Sequence, residues 1–244
     1  MWGEPIVKFS RINRNDPDPI HYSPTELVTC PKILLNKKEG KIREYSEDTL
    51  KVFEEGSTIH FKKGILRDGM KGLLNNELHM SAIHDSKEYV ISGYADFLMF
   101  DLIGLYIEDL KSCKKGAFYH FLKEKGSSSE ILQVSIYGFL YFVVNKVRIE
   151  KGVITKIDRD NPRNSLSLEI DLIPIEEIEK FILEHPTINF INKAITKKEF
   201  LARTKEYVKV NRWFCKYCDD LSCVIRKELE NDDKIGIEKE NTRE

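Results

Sequence analysis

A chain of 244 residues, 41% hydrophobic and 32% charged, is long enough for one large domain, or one domain with an appendage, around a folded core. Its net charge of -1 excludes a polycation, so any nucleic-acid contact must be local. No apolar run reaches the roughly 18 residues of a membrane span, and no basic stretch leads into an apolar core at the N-terminus, so a cytoplasmic protein without a membrane partner is expected.

Residues 1–22 are polar, carry Asp-Pro-Asp-Pro at 16–19, and read as an irregular or extended lead. Ser23-Pro24-Thr25-Glu26 is a helix start: Ser23 can cap, Pro24 suits the first helical position, and Glu26 completes a capping box. Leu27, Ile33 and Leu34 give an apolar face, which Pro31 splits into two short helices with Cys30 at the break. A longer helix is predicted from Ser46 to Lys63, carrying Leu50, Phe53 and His60, with Gly56 as a soft spot. Lys62-Lys63-Gly64 forms its expected C-terminus.

From Leu73 to Lys111 the pattern turns to strands, about 73–82, 88–100 and 105–111, with turns at Asp85–Lys87 and Asp101–Gly104. This reads as an antiparallel meander. Asp96 lies in the second run. Asp109 and Lys111 end the third and, two apart, point to one face of a strand, while Glu108 points to the other. Two carboxylates and an ammonium sharing a small volume are costly to bury unless a cation joins them, and hard oxygen ligands favour Mg²⁺ or Mn²⁺.

Residues 112–130 interleave lysines with Phe118, Tyr119, His120 and Phe121, a composition that suits either nucleic-acid contact or a surface loop. A helix is expected next at 129–145, with Gln133 and Tyr137 four apart on one face. Strands are expected at 147–158 and 165–173, then helices at Ile175–Glu184 and Thr196–Val208, the latter capped by Thr196 with Glu199. Residues 229–244 form a charged tail. The fold class is α/β, a mixed sheet flanked by helices.

Cys215, Cys218 and Cys223 form C-x₂-C-x₄-C, and Cys30 stands far upstream. Four soft thiolates fit Zn²⁺ or an iron–sulfur cluster, and would clamp residues near 30 to residues near 220. Cys113 lies outside this pattern.

The order of these features resembles a known family. Cys30-Pro31 comes after a short Ser-Pro-Thr-Glu-Leu helix. His60 is helical. Then come Gly-Tyr-Ala-Asp96, Glu-Asp109-Leu-Lys111, Gln133-x-x-x-Tyr137 and the terminal cysteine trio. Over roughly residues 22–224 this is similar to the CRISPR-associated RecB-like exonucleases of the PD-(D/E)XK nuclease superfamily. The resemblance implies a restriction-endonuclease-like core with a cysteine-clamped helical subdomain. It implies a divalent metal held by His60, Asp96, Asp109 and Leu110, with Lys111 assisting the attacking water and Gln133 and Tyr137 lining the site. Cys30, Cys215, Cys218 and Cys223 would hold a [4Fe-4S] cluster. Two features depart from the family pattern: Ala rather than Pro precedes Asp96, and the last cysteine gap is short, which keeps zinc as the alternative.

The domains expected are an irregular lead (1–22), an N-terminal helical part of the cluster subdomain (23–45), the nuclease core (46–184), a C-terminal helical part of that subdomain (185–228) and the tail (229–244). The function expected is metal-dependent hydrolysis of DNA, chiefly single-stranded, by exonuclease and also endonuclease action. By resemblance it would process DNA for CRISPR spacer acquisition with integrase proteins as partners; self-association is left open. The alternatives are a non-catalytic DNA-binding or assembly module with a metal–cysteine clamp, or a viral or repair nuclease of the same fold.

Overall fold

The computed structural model describes residues 8–12, 19–41, 45–67, 72–102, 104–114, 121, 127–210, 215 and 223–227. They fall in two compact units, Met1–Val28 with Arg43–Ile182 and Thr29–Ile42 with Leu183–Glu244.

The first unit is a mixed α/β layer structure, as the sequence implied. Strands β1 (Phe9–Arg11), β2 (Ile20–Tyr22), β3 (Leu73–His84), β4 (Tyr89–Asp101), β5 (Gly104–Cys113), β6 (Lys151–Asp158) and β7 (Ser165–Asp171) form one sheet. The order is β1-β3-β4-β5-β6-β7, with β2 on β4. The meander β3-β4-β5 is antiparallel, β5 and β6 run parallel, and β6-β7 is a hairpin. A parallel step needs a crossover, which α4 (Ser128–Asn145) supplies. The lead is therefore not irregular throughout: two three-residue pieces of it pair, with β3 and with β4.

Helix α1 (Pro24–Leu27) has the capping box its sequence announces, Glu26 N donating to Ser23 Oγ and Ser23 N to Glu26 Oε2. It belongs to the sheet unit, not to the cysteine-bearing part where the sequence reading placed residues 23–28. Helix α3 (Glu47–Arg67) runs through both Gly56 and Gly64. An interior glycine costs only about 1 kcal/mol. Packing opposes that cost, since Ile59 seals a core with Phe97, Met99, Tyr106, Leu110 and Ile157. On the other side of the sheet, buried Val134, Ile136, Phe139 and Leu140 fill the body of α4. Phe9 of β1 meets Phe139 edge-on at 5.4 Å between ring centroids. Helix α5 (Ile175–Leu183) closes the unit.

The second unit is helical among its described residues: α2 (Pro31–Lys38), α6 (Pro186–Ile191) and α7 (Lys197–Val210). Thr187 Oγ1 donates to the Pro31 carbonyl at 2.9 Å, and Phe190 packs on Phe200 at 4.9 Å. Thr196 and Glu199 cap α7 reciprocally. Helix α6 carries only six residues and left no periodic signal in the sequence. No helix among the described residues is long and apolar enough to cross a membrane. The tail at 229–244, Cys218, and the Phe118–His120 aromatics lie outside the described residues.

Candidate active site

One edge of β4 builds the site. β3 covers the opposite edge from Val90 to Met99. On the site edge, β2 takes Tyr89–Ile91 and β5 takes Phe97–Asp101. Among the described residues, Ser92 to Asp96 therefore lies in a fork between β2 and β5 without a strand partner on that edge. A backbone amide left unpaired in a buried strand needs another acceptor. Leu110 N, just past the last β4–β5 pair, donates to Asp96 Oδ2 at 2.7 Å. The fork thus fixes the Asp96 carboxylate by main-chain geometry.

Helix α3 brings His60 to the other oxygen, with Nδ1 3.0 Å from Asp96 Oδ1. That hydrogen bond raises the imidazole pKa against the opposing pull of burial. On β5, Asp109 and Lys111 share a face: Lys111 Nζ stands 2.7 Å from Asp109 Oδ2. Burial pushes the Asp109 carboxyl up, while Lys111 only partly offsets it. Burial opposes the Lys111 charge, but the Asp109 carboxylate outweighs it and raises the ammonium pKa. Glu108 points the other way, buried, and accepts from Thr155 Oγ1 at 2.6 Å. That separates the two adjacent acids as strand alternation requires.

Helix α4 supplies the roof. Ser127 and Glu130 form its capping box, which fixes where the helix begins. Glu130, Gln133 and Tyr137 then fall at i, i+3 and i+7, one helical face. Gln133 Oε1 accepts from Lys111 Nζ at 3.1 Å; its Nε2 lies 3.1 Å from Thr25 Oγ1 and 3.4 Å from the Tyr137 hydroxyl. The buried amide therefore has partners on both of its atoms. Burial raises the Tyr137 pKa, so the phenol stays protonated. Gly93 allows the close approach: a Cβ there would lie 2.7 Å from Pro24 Cδ and 3.3 Å from Tyr137 Cε1.

Seven sequence-predicted residues, His60, Asp96, Asp109, Leu110, Lys111, Gln133 and Tyr137, thus meet in one place. Thr25 was not anticipated, because its partner is 108 residues away. The Lys156–Glu130 ion pair was also missed; Lys156 is beside Lys111 in the β5–β6 register. The capping box marks Glu130 in the sequence, but nothing there marks its lysine.

The donor set suits a hard cation: two carboxylates and an imidazole. Asp109 Oδ2 is enclosed and makes no directed hydrogen bond, its contact with Lys111 being one of charge. Such an oxygen is an acceptor that a cation would satisfy. Among the described residues no three His, Cys, Asp or Glu side chains are already gathered as a metal cage. In this site the acids are engaged instead by His60, by Leu110 N and by Lys111.

In the second unit, Cys30, Val208 and Ile225 form a buried cluster, with Cys215 and Cys223 packed against it. None of the described cysteines is in a disulfide. Burial pushes the Cys30 thiol up to about 11, and the Cys215 and Cys223 thiols add to the shift. Three soft ligands pressed into an apolar cluster fit a thiolate-loving metal or cluster, whose charge would reverse that shift.

No family model and no curated protein matches the chain. Among solved structures, the crystal structure of SSO0001 shares the fold, with TM-score 0.55, 19% identity, 89% of this chain covered and 90% of that one. An alkaline exonuclease, LHK-Exo from Laribacter hongkongensis, overlaps more loosely at TM-score 0.45 and 12% identity, covering 81% of this chain and 95% of that one. LHK-Exo in complex with dAMP gives 0.43 and 13%, over 80% and 94%.

Proposed function

We propose that the chain is a metal-dependent deoxyribonuclease of restriction-endonuclease-like fold, acting chiefly on single-stranded DNA by exonucleolytic and also endonucleolytic cleavage. The observation that carries the reading is the joining of Asp96, Asp109 and Lys111 at the β4–β5 fork, with His60 and the Gln133–Tyr137 pair around them. A binding module has no need to hold a buried Asp109 and a half-buried Asp96 beside one lysine, because unpaired buried charge is expensive.

Asp96, Asp109 and His60, with the Leu110 main chain, would hold Mg²⁺ or Mn²⁺, which when bound supplies Lewis-acid charge to a phosphodiester. The remaining work falls to the chain itself. His60 and Leu110 N lock the Asp96 carboxylate in one orientation. Lys111 keeps its proton because Asp109 raises its pKa. Its ammonium donates to Gln133 and is held beside Asp109 by charge, which leaves N–H groups for a phosphate oxygen or the attacking water. Gln133, held by Thr25 and Tyr137, keeps that ammonium from swinging away. Cys30, Cys215, Cys218 and Cys223 would hold a [4Fe-4S] cluster, or zinc, in the helical unit. In a CRISPR setting the enzyme would trim DNA before its integration, with integrase proteins as partners.

The test is cleavage of an end-labelled single strand in Mg²⁺ or Mn²⁺, with and without chelator. Asp109→Ala is expected to fall to background. Lys111→Ala should lose roughly 10²- to 10³-fold in kcat, the usual effect of removing one preorganised charged donor. Wild-type rates in both folded variants would overturn the assignment.

A further inference from the structure

Tyr94 is out of place for its position. It sits in the middle of β4, an interior strand of the sheet, where aromatic side chains are normally buried, at a point where β3 pairs one edge and the other lies in the fork. Its relative exposure is nonetheless 64%. Its register partner on β3 is His79, and the two rings pair at 4.7 Å between centroids, tilted by 47°. Both are exposed, so an aromatic pair stands open to solvent on a sheet.

The surroundings say what could cover it. Tyr94 is two residues before Asp96 in the β4 segment between the β2 and β5 pairings, and it follows Gly93, whose missing Cβ faces Pro24 and Tyr137, so its own ring turns to the opposite side. That is the side from which His60 reaches Asp96. The backbone under Tyr94 is held rigidly, by β3 on one edge and by the close packing at Gly93. A rigid aromatic surface one strand repeat from a phosphodiester-cleaving site matches one kind of occupant. An unpaired base presents a flat π-face whatever its identity, and aromatic side chains bind single strands by stacking on it. A base inside a duplex has both faces occupied by its neighbours and offers none.

We infer that Tyr94, backed by His79, is a stacking platform for an unpaired nucleobase of the DNA strand beside the site. The inference rests on the nuclease reading for its substrate class, but it concerns binding, not hydrolysis. The platform selects single-stranded over duplex DNA without reading sequence.

The experiment is fluorescence anisotropy of a labelled mixed-sequence oligodeoxynucleotide, alone and annealed to its complement, with Ca²⁺ replacing Mg²⁺. Tyr94→Val removes the ring but keeps a strand-favouring residue, and Tyr94→Phe keeps the ring. Loss of one base–aromatic stack weakens binding by roughly five- to a hundredfold. Tyr94→Val should show a loss of that order for the single strand and none for the duplex. Tyr94→Phe should bind like wild type, and His79→Ala should lose less than Tyr94→Val. Thermal melts confirm that each variant is folded. Wild-type affinity of Tyr94→Val for the single strand, equal losses for strand and duplex, or a wild-type chain that ignores single strands would each overturn the platform. If Tyr94→Val loses single-strand binding while the wild type cuts no DNA in Mg²⁺ or Mn²⁺, the hydrolase reading falls and the platform stands.

Discussion

In the sheet unit, Asp96, Asp109 and Lys111 are held by strand register and by hydrogen bonds to Leu110 N, His60 and Gln133. In the helical unit, Cys30, Cys215 and Cys223 are gathered by apolar packing around Val208 and Ile225. The first arrangement is preorganised: each charged atom has a partner whose position is set by the ladder or a helix face. The second presses thiols into an apolar cluster, where burial first, and the neighbouring thiols after it, raise the Cys30 pKa. A site of the first kind can keep its shape alone, whereas one of the second kind would gain its shape from a metal or cluster held by the thiols.

The widest test of that contrast is Cys30→Ser. With a metal or cluster on the four cysteines, losing one ligand removes much of a contribution that for structural zinc reaches about 10–16 kcal/mol. Limited proteolysis should then cut within 183–210 while 73–171 stays protected. Equal protection of both regions would mean that packing alone holds the cysteines. A smaller break falls on the sheet unit. Gln133→Ala leaves Lys111 without one acceptor and the Tyr137 hydroxyl without its amide neighbour, a cost of about 1–3 kcal/mol for buried polar groups. A drop in kcat of roughly 10- to 100-fold with little change in KM is expected. A pure rise in KM would recast Gln133 as a binding residue. Smaller again is Gly93→Ala. Its methyl would meet Pro24 Cδ, part of a ring that cannot swing aside. Overpacking of this kind costs about 1–3 kcal/mol, to be read as a lower melting temperature.

How much of this was legible in the sequence depended on range. Asp109 and Lys111 on one face, with Glu108 on the other, came from the period of two in a strand, which holds through the unbroken β5–β6 register. The Ser127 cap and the Gln133–Tyr137 spacing were equally local. The fork was not legible, because it depends on β2, three residues long, pairing with β4 some 70 positions away. Nor was the place of α1: its capping box is local, but its membership of the sheet unit is decided by Pro24 against Gly93. Gly64 misled for the opposite reason, since a good local stop signal was outweighed by the packing of α3 through Ile59. For the cysteines, spacing marked the trio, but only folding puts Cys30 with Cys215 and Cys223.

Thr25 gives the finest test of preorganisation in the sheet unit, because it touches the chemistry only through Gln133. Its hydroxyl lies 3.1 Å from Gln133 Nε2, and Gln133 Oε1 lies 3.1 Å from Lys111 Nζ. Thr25→Ala removes one hydrogen bond worth about 1 kcal/mol, a few-fold effect if all of it reaches the lysine. Thr25→Ser keeps the hydroxyl and should keep the rate, because α1 is capped by Ser23 and does not depend on the threonine methyl. The informative comparison is with Gly93→Ala, which displaces α1 as a whole and so moves Thr25 without removing its oxygen. If Thr25→Ala lowers kcat and Gly93→Ala does so as well, the position of α1 is transmitted to Lys111 through Gln133. If Gly93→Ala lowers stability alone, Gln133 follows the hydroxyl by rotating, and the roof of the site is more adaptable than the fork beneath it.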